Sequence, residues 1–352
     1  MKSFWSGSAK KLQGKCLVVG IFFSEPDKPW TEEGRKNTWK NVKNAMKWIQ
    51  KNSEDYDIDL EFEYKCMNED EDVVLDKIPS FEDPMEEGEA AIIKVLEELD
   101  FESPGDFYTN LKEEYEEYSL HVMFFANKDD RAYMGSVDMD NAGKELEYNM
   151  IYTEEGVVGS FAVAHEALHA YSAMDLYNVG NTPEGAAAEK RTTKRFPKEV
   201  MMTAVDDAEE SELSEVTAFL IGWHNKPKHW YTTLMQPGAV EPMAFLLKNH
   251  KNFDENGDIR IEDEEELAKY KYKGGEFVRL KINGSDDFIH WKHSDSDSEE
   301  ETEYWEDSSD DDFYYLTDKK SSKEISVPRE TGTCFQLDES GEFQPWIEVK
   351  MV

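Results

Sequence analysis

His165 and His169 stand four residues apart, in the run HEALH that begins at His165. On a helix this interval puts two imidazoles on one face, a turn apart, so that both ring nitrogens can reach one ion. Zinc accepts imidazole nitrogen readily and favours a tetrahedral set with one position left for water. Glu166, beside the first histidine, is placed to take a proton from that water as a general base. Asp175 follows six residues after His169, where a third ligand is needed. The other neighbouring histidines, His224/His229 and His290/His293, lack the four-residue interval.

The motif must ride on an element that holds it still. Val157 to Tyr171 reads as that helix, with Val157, Phe161, Ala164, Leu168 and Tyr171 on one apolar stripe. Val158, Ala162, His165 and His169 form a neighbouring stripe, so the helix is expected to be buried on two sides. Apolar runs at Leu17–Phe23 and Leu120–Ala126 predict buried strands. Ile58–Tyr64, Tyr133–Val137 and Tyr148–Tyr152 predict further strands, and Cys16 reads as core. Thr31 caps a helix reaching about Lys51, with Glu86–Leu99 and Phe107–Tyr118 as further helices. A polar loop is expected from Asp175 to about Lys198, then helices at Leu213–Trp223 and Pro242–Lys248. The pattern predicts an α+β fold: a mixed twisted sheet plus an active-site helix over residues 1–252.

The stretch from His165 to Tyr177 resembles the extended HExxHxxGxxH/D signature of metzincin-like zinc peptidases, a branch of the zincins, and is nearest to the variants ending in Asp. The likeness extends over residues 15 to 230 and is specific only at the motif. It implies a zinc cofactor held by His165, His169 and Asp175, with Glu166 as base. It implies a methionine turn at Met201 or Met202 beneath the metal, followed by the Leu213–Trp223 helix. Tyr148–Tyr152 would form the cleft's edge and pair with a peptide substrate, and Tyr177 would donate to the oxyanion. One departure is Ser172, where the family bends on glycine. Either the bend forms with strain, or the helix runs on and a later carboxylate such as Glu215 replaces Asp175. The implied function is peptide-bond hydrolysis; the alternatives are a binding or scaffold protein on the same frame, or a zinc hydrolase of a non-peptide amide.

Beyond residue 252 the composition shifts towards short β-rich pieces, at Phe277–Ile282, Phe288–Trp291, Phe313–Leu316, Ile325–Val327 and Trp346–Val349. Residues 253–352 are expected to form a small antiparallel β module, with Ser294–Asp312 as an acidic solvated loop that a basic protein partner or cations would suit. Asp254, Asn256, Asp258 and Glu265 are spaced as in a calcium loop, but Ile259 stands where that loop requires glycine. Acidic residues number 78 against 39 basic, a net charge of −39, which repels nucleic acid and anionic membranes. Cys16, Cys66 and Cys334 form no disulfide or metal-knuckle pattern. Met1–Gly7 is not a signal peptide, and nothing is long and apolar enough to span a bilayer, so a cytoplasmic location is expected.

Overall fold

A computed structural model of the chain describes residues 8, 9, 11–83, 85–139, 144–153, 156–248, 253, 259–285, 288–296, 298, 301–318, 323–338 and 342–352. The chain divides into two compact units, Met1–Asn225 with Met235–Pro237, and Lys226–Leu234 with Gly238–Val352.

The first unit runs β1 (Gly14–Ser24), α1 (Glu32–Ser53), β2 (Leu60–Cys66), β3 (Val73–Val74), α2 (Met85–Glu98), α3 (Pro104–Glu114), β4 (Ser119–Ala126), β5 (Tyr133–Asp138), β6 (Glu145–Tyr152), α4 (Ser160–His169), α5 (Pro183–Arg195) and α6 (Glu215–Leu220). Its sheet has the order β2-β1-β4-β6-β5, with β3 pairing to the end of β1. The pairs β1/β2, β1/β4 and β4/β6 are parallel, and β5 is antiparallel to β6, so the sheet is mixed. The central strands β1 and β4 are apolar because both faces are covered. On one face, Leu17, Val19, Ile21, Leu120, Val122 and Phe124 join Ile92, Val95 and Leu96 of α2 and Phe107 and Leu111 of α3 in one core.

On the other face α1 packs against α4, the helix that carries the histidines. Thr31 caps α1 by accepting from Gly34 N at 2.9 Å, as its position before two acids led one to expect. A Cβ at Gly34 would meet Gly156 O at 2.3 Å, so glycine there lets α1 approach the entry to α4. Thr38 Oγ1 accepts from Val158 N, and Asn41 Nδ2 donates to Val158 O, which pins that entry. The active helix is shorter than the apolar stripes imply: Val157 lies outside it and is exposed, and Tyr171 lies in the turn that follows. Stripes report burial, which continues past the hydrogen-bonded turns.

Two elements differ from expectation. The stretch after Asp175 is not all loop; Thr182 caps a thirteen-residue helix, α5, with Pro183 at its first turn. Tyr148–Tyr152 is not an edge; β6 lies between β4 and β5, and the rim strand is β5. Period-two alternation marks both strands alike and carries no information about order in the sheet.

The second unit contains α7 (Val240–Lys248) and β7 (Glu264–Tyr272), β8 (Gly275–Ile282), β9 (Ile289–Asp295), β10 (Thr302–Ser309), β11 (Phe313–Asp318), β12 (Glu324–Pro328), β13 (Gly332–Leu337) and β14 (Phe343–Met351). These eight strands close into an antiparallel barrel, with Tyr270, Phe277, Trp291, Tyr304, Leu316, Ile325, Val327, Cys334 and Val349 in its core. Arg279 and Trp291 converge on Glu306, whose two oxygens accept from Arg279 Nε and Nη2 at 2.7 Å. The acidic run Ser294–Asp312 is not one loop: β9 ends in it and β10 crosses it, with Tyr304 and Trp305 buried. The calcium-like positions Asp254, Asn256 and Asp258 lie outside the described residues; Glu265 pairs with Lys281 in the barrel. Among the described residues no helix is long and apolar enough to cross a membrane.

One buried group makes stability of the first unit depend on pH. His121 of β4 is 1% exposed, and its Nε2 lies 2.6 Å from Asn149 Oδ1 on β6. Burial pushes its imidazole down to about 4, against about 6.5 in an unfolded chain. Between those values the unfolded chain takes up a proton that the folded one refuses, so stability falls as pH falls. Urea unfolding of chelator-treated protein should lose about 3 kcal/mol more between pH 7 and pH 4 in the wild type than in His121→Gln. Equal slopes in the two proteins would contradict this.

Candidate metal centre

Each of the two imidazoles is aimed by a backbone carbonyl. His165 Nδ1 donates to Val200 O and His169 Nδ1 donates to Ala173 O, both at 2.9 Å. These bonds commit the Nδ1 protons outward and leave Nε2 of each neutral ring as a lone pair. The two Nε2 atoms lie 3.2 Å apart, and Asp175 Oδ1 lies 3.2 Å from each. Three electron-rich atoms therefore form a nearly equilateral triangle. Two zinc ligands at bond lengths near 2.0–2.1 Å in a tetrahedral set stand about 3.3 Å apart. The donor set and its spacing fit zinc. Among the described residues, His165, His169 and Asp175 are the group able to share an ion. Glu215 begins α6 and is not part of it.

Asp175 reaches the triangle because the chain reverses after α4. Ala173 N bonds Leu168 O and Ser172 N bonds His169 O, a Schellman-type turn. Its left-handed residue is Ser172, at φ 80°. The bend thus forms without glycine, in a conformation a Cβ disfavours by about 1–2 kcal/mol. The same turn supplies the Ala173 carbonyl that orients His169, so ending the helix and aiming the ligand are one event.

The other carbonyl comes from the loop in which the resemblance implies a methionine turn. Glu199, fully buried, accepts from Met201 N at 3.2 Å, Ser214 N at 2.7 Å and Thr217 Oγ1 at 2.8 Å. Burial raises its carboxyl above the ordinary range, against these hydrogen bonds. This clamp fixes Val200 O for His165, while Met201 O accepts from Leu176 N, next to Asp175. Met201 is fully buried and Met202 is partly exposed. No spacing signal marks Glu199; only its place beside the methionines pointed to that loop.

Glu166, on the first turn between the histidines, is 7% exposed, and its Oε2 has no hydrogen-bond partner. Burial raises its carboxyl, opposed by the neighbouring histidines. Burial also acts to raise Asp175, but its contacts with His165 and His169 outweigh it and hold the carboxyl well below its usual range. His169 moves the other way: burial lowers its imidazole, and Asp175 more than restores it. The main chain of Glu166 is tied to the sheet, where Asn149 Nδ2 donates to its carbonyl at 2.7 Å. At the start of α4, Ser160 Oγ donates to Asp207 and accepts from Ala208 N.

His165, Glu166, His169, Asp175 and Tyr177 line one cavity of about 360 Å³ with Phe81, Arg131, Ala132, Tyr133 and Met134. Tyr177 accepts from Arg131 Nη2 at 3.0 Å. Tyr133 and Met134 belong to β5, so the rim strand borders the cavity. No protein-family model matches the chain, and no curated protein matches it. Its chemistry is read from these residues alone.

The strained turn gives a direct check. Ser172→Val should lower stability by about 2 kcal/mol, since a β-branched residue resists positive φ. It should also weaken zinc binding at least tenfold, because Ala173 O and Asp175 move with the turn. Ser172→Gly should keep both. Denaturant melts and zinc titration of the two variants decide this; equal behaviour would refute the role given to the bend.

Proposed function

We propose that this chain is a zinc-dependent peptidase of the zincin type, with His165, His169 and Asp175 as ligands and Glu166 as general base. The reading rests above all on three acceptor atoms mutually 3.2 Å apart, an arrangement that only a cation or shared proton relieves. Metzincin-like features support it: the HExxH helix, a reversal at Ser172, an Asp third ligand, and buried Met201 in the loop that orients His165.

Zinc bound there supplies a lowered pKa for its water and polarises the carbonyl to be attacked. Glu166 has a carboxylate oxygen with no competing donor, beside the first ligand, and receives the proton. Burial raises that carboxyl, which favours uptake of a proton. Tyr177, held by Arg131, is the donor for the carbonyl oxygen. The outer edge of β5 pairs with no strand among the described residues, and an extended peptide can add there as a further strand. The substrate edge is thus β5 and not β6, the strand for which the resemblance implied that role.

Elemental analysis of purified protein should find about one zinc per chain, lost in His169→Ala. Glu166→Gln should keep that zinc while hydrolysis of unstructured peptides falls about a thousandfold. A zinc-loaded wild type that binds peptides without cutting them would favour the binding-protein alternative. Undiminished activity in Glu166→Gln would remove this base.

A further inference from the structure

Arg131 is a cation at the cavity wall whose hydrogen-bonding capacity is mostly unspent. Its Nη2 donates to Tyr177 Oη, and the nearest carboxylate oxygen, Asp175 Oδ2, is 3.8 Å away. Among the described residues, its Nε and Nη1 have no hydrogen-bonded protein acceptor. The guanidinium is nevertheless fixed, lying over the Phe81 ring at 4.9 Å. Asp130 accepts from both Arg131 N and Phe81 N, which holds cation and ring together through the backbone.

Arg279 closes both arms of its fork on Glu306. Arg35 is buried, with donors on Asp72 and on the carbonyls of Trp30, Glu69 and Asp70. In a chain with twice as many acids as bases, an arginine beside a cleft has abundant potential partners. Arg131 keeps an open fork in that surrounding. A planar fork of N–H groups matches a carboxylate in two parallel hydrogen bonds. Arg131 also lies two residues before Tyr133, the first residue of the rim strand, so a peptide laid along β5 passes it on leaving the sheet.

We infer that Arg131 is a receptor for a substrate carboxylate beside the bond to be cut, so that the substrates are peptides bearing Asp or Glu, or a free C-terminus, at that position. The inference rests on the peptidase reading for the word substrate, and on Arg131 alone for the carboxylate. Glu166 and Asp175 line the same cavity, and a cation on its wall helps offset their repulsion of such a group.

The test uses full-length zinc-loaded protein and one peptide made with Asp, Asn or Lys beside the cleavage site, each with a free or an amidated C-terminus. The ratio of kcat/KM for the Asp peptide over the Asn peptide should be about tenfold or more. Arg131→Gln should bring that ratio to about one, and Arg131→Glu should turn the preference towards the Lys peptide. If the preference follows the free C-terminus and ignores the side chain, the carboxylate is terminal. Titration calorimetry of the same peptides with Glu166→Gln protein reads the recognition without turnover. Equal binding of Asp, Asn and amidated peptides there would overturn the inference. Carboxylate-selective binding that Arg131→Gln abolishes, in a protein that cuts none of the peptides, would leave the receptor standing and remove the peptidase reading.

Discussion

Two ring N–H groups bonded to two carbonyl oxygens set the character of the centre. With Nδ1 of His165 and His169 committed to Val200 O and Ala173 O, neither imidazole can turn its donor inward. The lone pairs must face each other and the Asp175 carboxylate. That arrangement is unfavourable in an empty, half-buried site, and a cation reverses its sign. An ion bound there, as proposed, would couple to folding, because the unfolded chain has no such convergence for it to find. Without zinc, the nearest relief is a proton: the Asp175 carboxylate beside His169 makes its imidazole hold one more tightly than usual, despite burial.

Each carbonyl has its own support, of a different kind. Ala173 O is local, presented by the turn that ends α4 at the expense of a serine in left-handed backbone. Val200 O is remote, thirty-five residues along the chain, and depends on a buried carboxylate with three donors. Such a carboxylate is costly to bury unless its hydrogen bonds are satisfied, and here three are. The loop also accepts Leu176 N on Met201 O, so His165 and the residue next to Asp175 are referred to one short stretch of backbone. Met201 in that loop is fully buried, and a methionine adapts readily to the packing around it.

Much of this was legible in the residues, and the illegible part has a physical pattern. Four-residue spacing brought His165 and His169 to one face because helix geometry is local. Asp175 could be named as a candidate ligand, but whether the chain reversed at Ser172 depended on a single backbone angle that serine does not advertise. Apolar runs marked β1 and β4, which are buried on both faces, and Thr31 marked the start of α1. Order within the sheet was hidden: β5 and β6 have similar patterns, and only pairing tells rim from interior. In the barrel, β7, β10 and β13 were missed: charged residues dilute the alternation in β7 and β10, and β13 is a short neutral stretch with Cys334 as its buried residue. Glu199 and Arg131 had no signature of spacing, since one acts through the backbone and the other across a cavity.

The antiparallel turn of the sheet ties the site to the core. The chain leaves β4, passes the position next to it, forms β5 at the rim and returns as β6 between the two. One hairpin thereby supplies both the cleft's wall, through Tyr133 and Met134, and the anchor of the active helix, through Asn149. Asn149 in turn is held by His121 on the central strand, so Glu166 is referenced to the most deeply buried part of the sheet. A substrate pairing with β5 would then be positioned by the same hairpin that positions the base. For a peptide added to β5, as proposed, the distance from its chain to the Glu166 carboxylate would be set within one hydrogen-bonded piece of structure, and positioning of that kind is what rate depends on.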